Sequence, residues 1–150
     1  MKKRIPLQII EGRLILTVVI ECLSLRIHKQ IMDFVIDTGS PDSYLSNKDV
    51  MALQIPISGK STKEEVDLGG SRFKIVDLPK FKMYLLGEDK EKDHIDLDVA
   101  LSALKTTKTS FKKVKTAQAL PSILGLDFLR EQKLSLHVIL SEDLAYLEVD

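Results

Sequence analysis

An apolar run, Met32-Asp33-Phe34-Val35-Ile36, stops at Asp37-Thr38-Gly39-Ser40. No other junction in the chain constrains the fold as much. Apolar and β-branched residues in succession make a buried strand, and a glycine two places after a carboxylate lets that strand break into a turn. Asp37 therefore stands where a buried strand becomes a loop. The chain has no second Asp-Thr-Gly or Asp-Ser-Gly. Chemistry that needs two paired carboxylates would take the second from another copy of the chain.

The remaining composition sets broad limits. A chain of 150 residues is long enough for one domain, 1–150, with a real core. Its 22 Lys and Arg balance 22 Asp and Glu, so no net field draws it to nucleic acid or to an anionic membrane. The single cysteine, Cys22, cannot form an intrachain disulfide and fits a reducing compartment. It lies in an apolar stretch, as a small buried side chain does. Met1-Lys2-Lys3-Arg4 looks like the start of a leader, but Pro6, Glu11, Gly12 and Arg13 interrupt the apolar stretch behind it. No apolar run approaches the ~20 residues of a membrane span. The expectation is a cytoplasmic protein that binds neither membrane nor nucleic acid.

Short strands dominate the pattern. Arg13 to Leu25 and Ile31 to Ile36 read as a hairpin across a polar turn, Arg26 to Gln30, and they deliver Asp37 to the next turn. Tyr44-Leu45-Ser46 resumes an extended path. Asn47 to Leu53 reads as a short helix with Asn47 as its N-cap. Pro56 and Gly59 mark a loop. Ser61 to Asp67 and Arg72 to Leu78 form a second hairpin, with Leu68-Gly69-Gly70-Ser71 at its tip. Lys80 to Leu86 is a further strand. Glu88 to Asp98 is acidic and Lys105 to Lys115 basic, either as solvated surface or as a clamp or partner site. Ile123-Leu124-Gly125 is an apolar strand meeting glycine, and a helix follows with Asp127 as its N-cap. Leu134 to Leu140 and Ala145 to Val149 are the last two strands, and no internal repeat is visible.

Taken together, Asp37-Thr38-Gly39-Ser40 and Ile123-Leu124-Gly125-Leu126-Asp127-Phe128-Leu129, separated by most of a strand-rich domain, resemble the retropepsin-like aspartic proteases. The second motif is similar to that of the ubiquitin-shuttle proteases and of the small prokaryotic and archaeal members. The resemblance covers about residues 13–149, with 88–120 as an elaboration. It implies an all-β fold: a closed or nearly closed six-stranded acid-protease barrel with one or two short helices. It also implies an aspartic endopeptidase that works without a cofactor. The protein would act as a homodimer on an extended peptide or unfolded protein.

The resemblance assigns roles residue by residue. Asp37 would be the catalytic carboxylate, paired with Asp37 of a second copy. One water must lose a proton while the scissile carbonyl oxygen gains one, and two carboxyl groups sharing a proton do both. Like charges so close cannot both ionise, and the two titrations belong to the pair. Thr38 would reach across the two-fold axis. Gly39 would let backbone approach the substrate. Ser40 would donate to the outer carboxylate oxygen, favouring the ionised form, where many viral relatives have alanine. Ile123, Leu124 and Gly125 would support the loop from behind. Leu68, Gly69, Gly70 and Ser71 would tip the flap, although an ordinary hairpin turn reads the same way. Two departures stand out. Pro41 has no N–H to offer substrate where relatives carry an acidic residue, and Leu126 replaces an arginine that steadies viral dimers.

Other readings stay open. One is the same barrel as a peptide- or protein-binding module with little or no proteolysis, and another is an accidental motif in a structural β-domain. A metal site is not expected, because His28, His94 and His137 share no ligand spacing. Basic Lys2, Lys3 and Arg4 and acidic Glu148 and Asp150 suggest termini interleaved between two subunits.

Overall fold

A computed structural model describes residues 2–57, 64–89, 94–106 and 120–149. The loop expected at Gly59, the centre of the acidic run and most of the basic run lie outside the described residues. So does Asp150.

Thirteen strands are described. They are β1 (Lys3–Pro6), β2 (Gln8–Ile10), β3 (Arg13–Cys22), β4 (Ile27–Ile36), β5 (Tyr44–Leu45), β6 (Glu65–Leu68) and β7 (Ser71–Asp77), followed by β8 (Phe81–Leu86), β9 (His94–Val99), β10 (Ser102–Thr106), β11 (Ile123–Leu124), β12 (Ser135–Ile139) and β13 (Leu144–Val149). Two short helices accompany them, α1 (Asn47–Ala52) and α2 (Leu126–Glu131).

Alternation builds the centre. Along β3, Leu16, Val18 and Ile20 are buried while Thr17 is exposed, and Met32 and Phe34 of β4 meet them from the paired strand. Phe81, Met83 and Leu85 of β8 add a third row to the same core. Period-two burial of this kind holds the register, because a one-residue slip would turn every apolar side chain to solvent. The turn of the β3–β4 hairpin falls earlier than expected. It is a 3-10 turn at Leu23–Leu25, closed by Arg26 at φ 58°. His28, Lys29 and Gln30 belong to the strand, at its exposed end, where polar side chains keep their water.

Of the expected closed or nearly closed barrel, the mostly-strand architecture is present, and among the described residues no sheet is closed on itself. The larger sheet runs β6-β7-β10-β5-β11-β4-β3-β8-β9, with β2 also on β3, and among the described residues its end strands β6 and β9 do not pair with each other. The three-stranded sheet β1-β13-β12 is separate from it. The stretch expected as an elaboration supplies working parts of the frame. β9 is one edge of the larger sheet, and β10 lies inside it between β7 and β5. Among the described residues, no helix is long and apolar enough to cross a membrane.

The chain ends also differ from expectation, because they pair within one chain. Lys3 lies opposite Val149 and Arg4 opposite Glu148 in antiparallel register. Arg4 Nε donates to Glu148 Oε2 at 3.3 Å, and Lys2 Nζ stands 3.5 Å from Oε1. Burial pushes the Glu148 carboxyl up, but the charge of Lys2, hydrogen bonds from Lys2 and Arg4, and nearby His137 outweigh it and hold it below the ordinary Glu value. A carboxyl depressed in the folded state stabilises it above its unfolded value, and that contribution is lost as pH falls through the lowered one. This clasp should therefore loosen on acidification.

On the inner face of β1, Ile5 is 1% exposed and lies opposite Leu147. Ile5→Ala should cost about 2–5 kcal/mol in urea denaturation. The shift should be the same at low and high protein concentration; a shift that changes with concentration would instead mean that β1 belongs to a second subunit.

Candidate active site

Two residues of β4 and two of β11 set the site. They pair in parallel, Val35 with Ile123 and Ile36 with Leu124. The next residues in line are Asp37 and Gly125, so the two sequence motifs leave the sheet side by side. Hydrogen bonds weld the junction. Val35 N–H donates to Ser122 O (2.9 Å), and Asp37 N–H donates to Leu124 O (3.0 Å). Ile123 and Leu124 are buried beneath it.

Beyond the strand the chain turns tightly. Ser40 N–H donates to Asp37 O at 3.1 Å, and Gly39 N–H donates to Asp37 Oδ1 at 2.9 Å. The loop thus fixes one carboxylate oxygen with its own backbone. Asp37 is half-buried, Thr38 and Gly39 are exposed, and Ser40 is buried. The role expected of Ser40 is not the one observed. Its hydroxyl donates to Asp42 O at 2.7 Å and closes the turn, instead of reaching the Asp37 carboxylate.

Gly125 has a steric reason. A Cβ there would run into the backbone oxygens of Ser40 and Asp42. The N-terminal end of α2 then receives the loop. Leu126 N–H donates to Ser40 O (2.9 Å) and Asp127 N–H to Pro41 O (3.1 Å). The N-cap of this helix is Gly125, not Asp127 as expected. Asp127 works across the chain: Oδ1 accepts from Ser43 Oγ at 2.6 Å and Oδ2 from Ser43 N–H at 3.2 Å. Ser43 Oγ in turn accepts from Gly125 N–H at 2.9 Å. Ser43 and Asp127 are thus the residues that hold the loop, whereas the sequence suggested only a cap role for Asp127. The available signal was a short polar residue beside each motif.

A similar shift occurs at α1. Its N-cap is Ser46, whose Oγ accepts from Asp49 N–H, and not Asn47. Ser122 Oγ accepts from Ser46 N–H at 2.9 Å and donates to the Asp49 carboxylate. Helix α1 is thereby tied to the strand that supports Asp37. Asn47 is buried and donates from Nδ2 to Leu104 O on β10 at 3.3 Å.

Asp37 opens onto a groove of about 470 Å3, whose other wall is Glu65 to Leu68 of β6. The second hairpin therefore lines the groove onto which Asp37 opens. Gly69 and Gly70 at its tip take φ of 56° and 79°, the left-handed values of a tight hairpin turn. Gly69 is also packed: a Cβ would fall 2.6 Å from Leu120 Cδ2. Leu120 joins Val66, Leu68 and Ile75 around a small second core of Tyr44, Phe73 and Leu104. Ser71, expected at the tip, is buried at the start of β7. Tyr44 Oη donates to Asp42 Oδ2 at 3.4 Å, and burial, followed by the Asp42 charge, pushes its phenol up to about 12.

Comparison with solved structures now adds to this geometry. The chain matches a crystal structure of a retropepsin-like aspartic protease from Rickettsia conorii with a TM-score of 0.57 and 13% identity. The match covers 99% of this chain and 92% of that one. The fold is that of the retropepsin-like aspartic proteases. The EIAV protease complexed with the inhibitor HBY-793 is also similar, with a TM-score of 0.45, 15% identity, and coverage of 86% of this chain and 96% of that one. No family model matches the chain, and no curated protein matches it. A retropepsin-like fold with a self-paired terminal sheet thus carries the Asp37 loop.

Ser43→Ala should cost about 1–3 kcal/mol, because it leaves the buried Gly125 N–H and the Asp127 carboxylate short of a partner. Ser43→Thr should retain most of that stability, and thermal unfolding of the two variants side by side measures the difference. Gly125→Ala should cost about 1–3 kcal/mol or more, since the neighbouring atoms are backbone and cannot rotate away.

Proposed function

We propose that the protein is an aspartic endopeptidase whose site is completed by a second copy of the chain. The observation that carries this reading is the position of Asp37. It ends a buried strand beside Gly125, has one oxygen fixed by Gly39 N–H, and opens on a groove walled by a hairpin. A two-fold arrangement would set two such loops face to face, and that isologous contact gives each active site two identical carboxylates. One carboxylate takes a proton from the attacking water, and the other, protonated, donates to the scissile carbonyl oxygen. Thr38, which is exposed, would meet the partner's loop. An extended peptide would lie in the groove by strand-like hydrogen bonds, with the β6–β7 hairpin over it. Pro41 offers no N–H, so one backbone contact of the usual kind is missing, and side-chain pockets must supply more of the selectivity.

Asp37→Asn should abolish cleavage of unfolded protein while leaving the thermal unfolding midpoint close to that of the parent. Parent-like cleavage by this variant would sink the assignment. Specific activity should also fall on dilution below the dimer dissociation constant, alongside the dimer fraction seen by ultracentrifugation. A folded, dimeric parent that cleaves nothing between pH 3 and 8, yet binds peptide, would favour the binding-module reading.

A further inference from the structure

With its ends paired inside one chain, the protein must meet a second copy through another surface. The terminal sheet offers one. Its order is β1-β13-β12, so one long edge of β12 pairs with nothing among the described residues. Free strand edges invite pairing with another chain, and proteins blunt them with charge or proline. The other end strands are blunted: β6 carries Glu65 and Asp67, β9 carries Asp96 and Asp98, and β1 carries Lys3, Arg4 and Pro6. β12, Ser135-Leu136-His137-Val138-Ile139, has none of these residue types and no bulge against β13. Its far end is apolar and open to solvent. Val138, Ile139 and Leu144 are exposed there, and Leu140 at the turn is 73% exposed.

Backbone directions define what this edge can hold. Leu7 N–H donates to Ala145 O, so the polar groups of Ala145 point to the β1 side of β13. Ala145 lies opposite Val138, and Leu147 opposite Leu136. In an antiparallel ladder such pairs, without mutual hydrogen bonds, alternate with bonded ones. The N–H and C=O groups of Leu136 and Val138 therefore point outward, away from β13. A two-fold axis at His137 would set Leu136 of each copy opposite Val138 of the other, and every one of these outward groups would find a partner. The His137 ring leaves the axis clear, because it stacks over Tyr146 of β13 with 4.7 Å between centroids. Leu134 bounds the pairing, since its N–H is already given to Leu129 O.

Charge and position fit the same arrangement. Exposed Lys133 precedes β12, and exposed Glu142 and Asp143 follow it in the turn. These groups stand at opposite ends of the strand in one chain. Antiparallel docking brings Lys133 of each copy beside Glu142 of the other. The edge also lies near the candidate site. Helix α2 receives the Asp37 loop at its start and passes the chain to β12 at its end, and its six residues span about 9 Å. One axis can therefore run past both β12 and the Asp37 loop.

We propose that a second copy of the chain docks edge to edge on β12 and joins the two terminal sheets into one. The inference deepens the two-copy reading above by naming the surface that holds the copies together. Sedimentation of the full chain over a range of concentrations tests it. Lys133→Glu sets Glu against Glu142 at both contacts and should raise the dimer dissociation constant about tenfold. Glu142→Lys sets Lys against Lys133 and should do the same. An equal mixture of the two variants restores opposite charges at both contacts and should dimerise as the parent does. Leu140→Lys charges the apolar end and should weaken the dimer without rescue by mixing. All three sites are exposed, so thermal unfolding of the dilute variants should match that of the dilute parent. A dimer that these substitutions leave unchanged, or weakening that the mixture does not reverse, would overturn the interface and leave the two-copy peptidase standing. Dimers that respond as expected but cleave nothing would keep the interface and remove the peptidase. A parent that stays monomeric at millimolar concentration would overturn both.

Discussion

The parallel contact between Val35–Ile36 and Ile123–Leu124 is only two residues long, yet the candidate site hangs from it. It fixes Asp37 through Leu124 O and sets Gly125 against the Ser40–Asp42 backbone. From β11 the sheet continues through β5, β10 and β7 to β6. That path carries the second hairpin round to the groove onto which Asp37 opens. The distance between Asp37 and the hairpin is therefore a property of four successive strand pairings, not of one flexible arm. A pairing this short would be weak alone. Here it is braced from both sides, by the long β3–β4 hairpin and by the Ser43–Asp127 bonds that pin the loop to α2.

Much of this could be read in the residues. The Asp37 strand, the Gly69-Gly70 tip and the apolar approach to Gly125 all announce themselves locally, because turn chemistry and alternation act over a few residues. Caps were misread for a related reason. Asn47 and Asp127 are good capping types, but tertiary partners claimed them: Leu104 O took the Asn47 amide, and Ser43 took the Asp127 carboxylate. Ser46 and Gly125 were left at the helix starts. The early turn at Leu23 was hidden because His28, Lys29 and Gln30 are polar for lack of neighbours, not for lack of a strand. Ser40 illustrates a further limit. A hydroxyl beside a carboxylate has several acceptors within reach, and only the traced loop shows that Asp42 O receives it.

Sheet closure was the least legible feature. Local patterns say which residues pair, but not whether the first and last strands of a sheet meet. Composition was equally silent on charge placement. A chain with 22 cationic and 22 anionic groups has no net charge, yet Lys133 stands at one end of β12 and Glu142 and Asp143 at the other. Net neutrality limits long-range attraction but leaves local fields unconstrained.

The terminal sheet has a topological consequence. Because Lys3 lies opposite Val149 in one sheet, both ends of the described chain emerge at nearly the same point on the surface. Any polypeptide joined at one end would start beside the other. The same closeness means that a short peptide bridge could join the ends with little strain. Such a ring would remove freedom from the unfolded chain alone. New ends could then open at the Glu11–Gly12 turn, where a glycine at φ 74° already marks a break between β2 and β3.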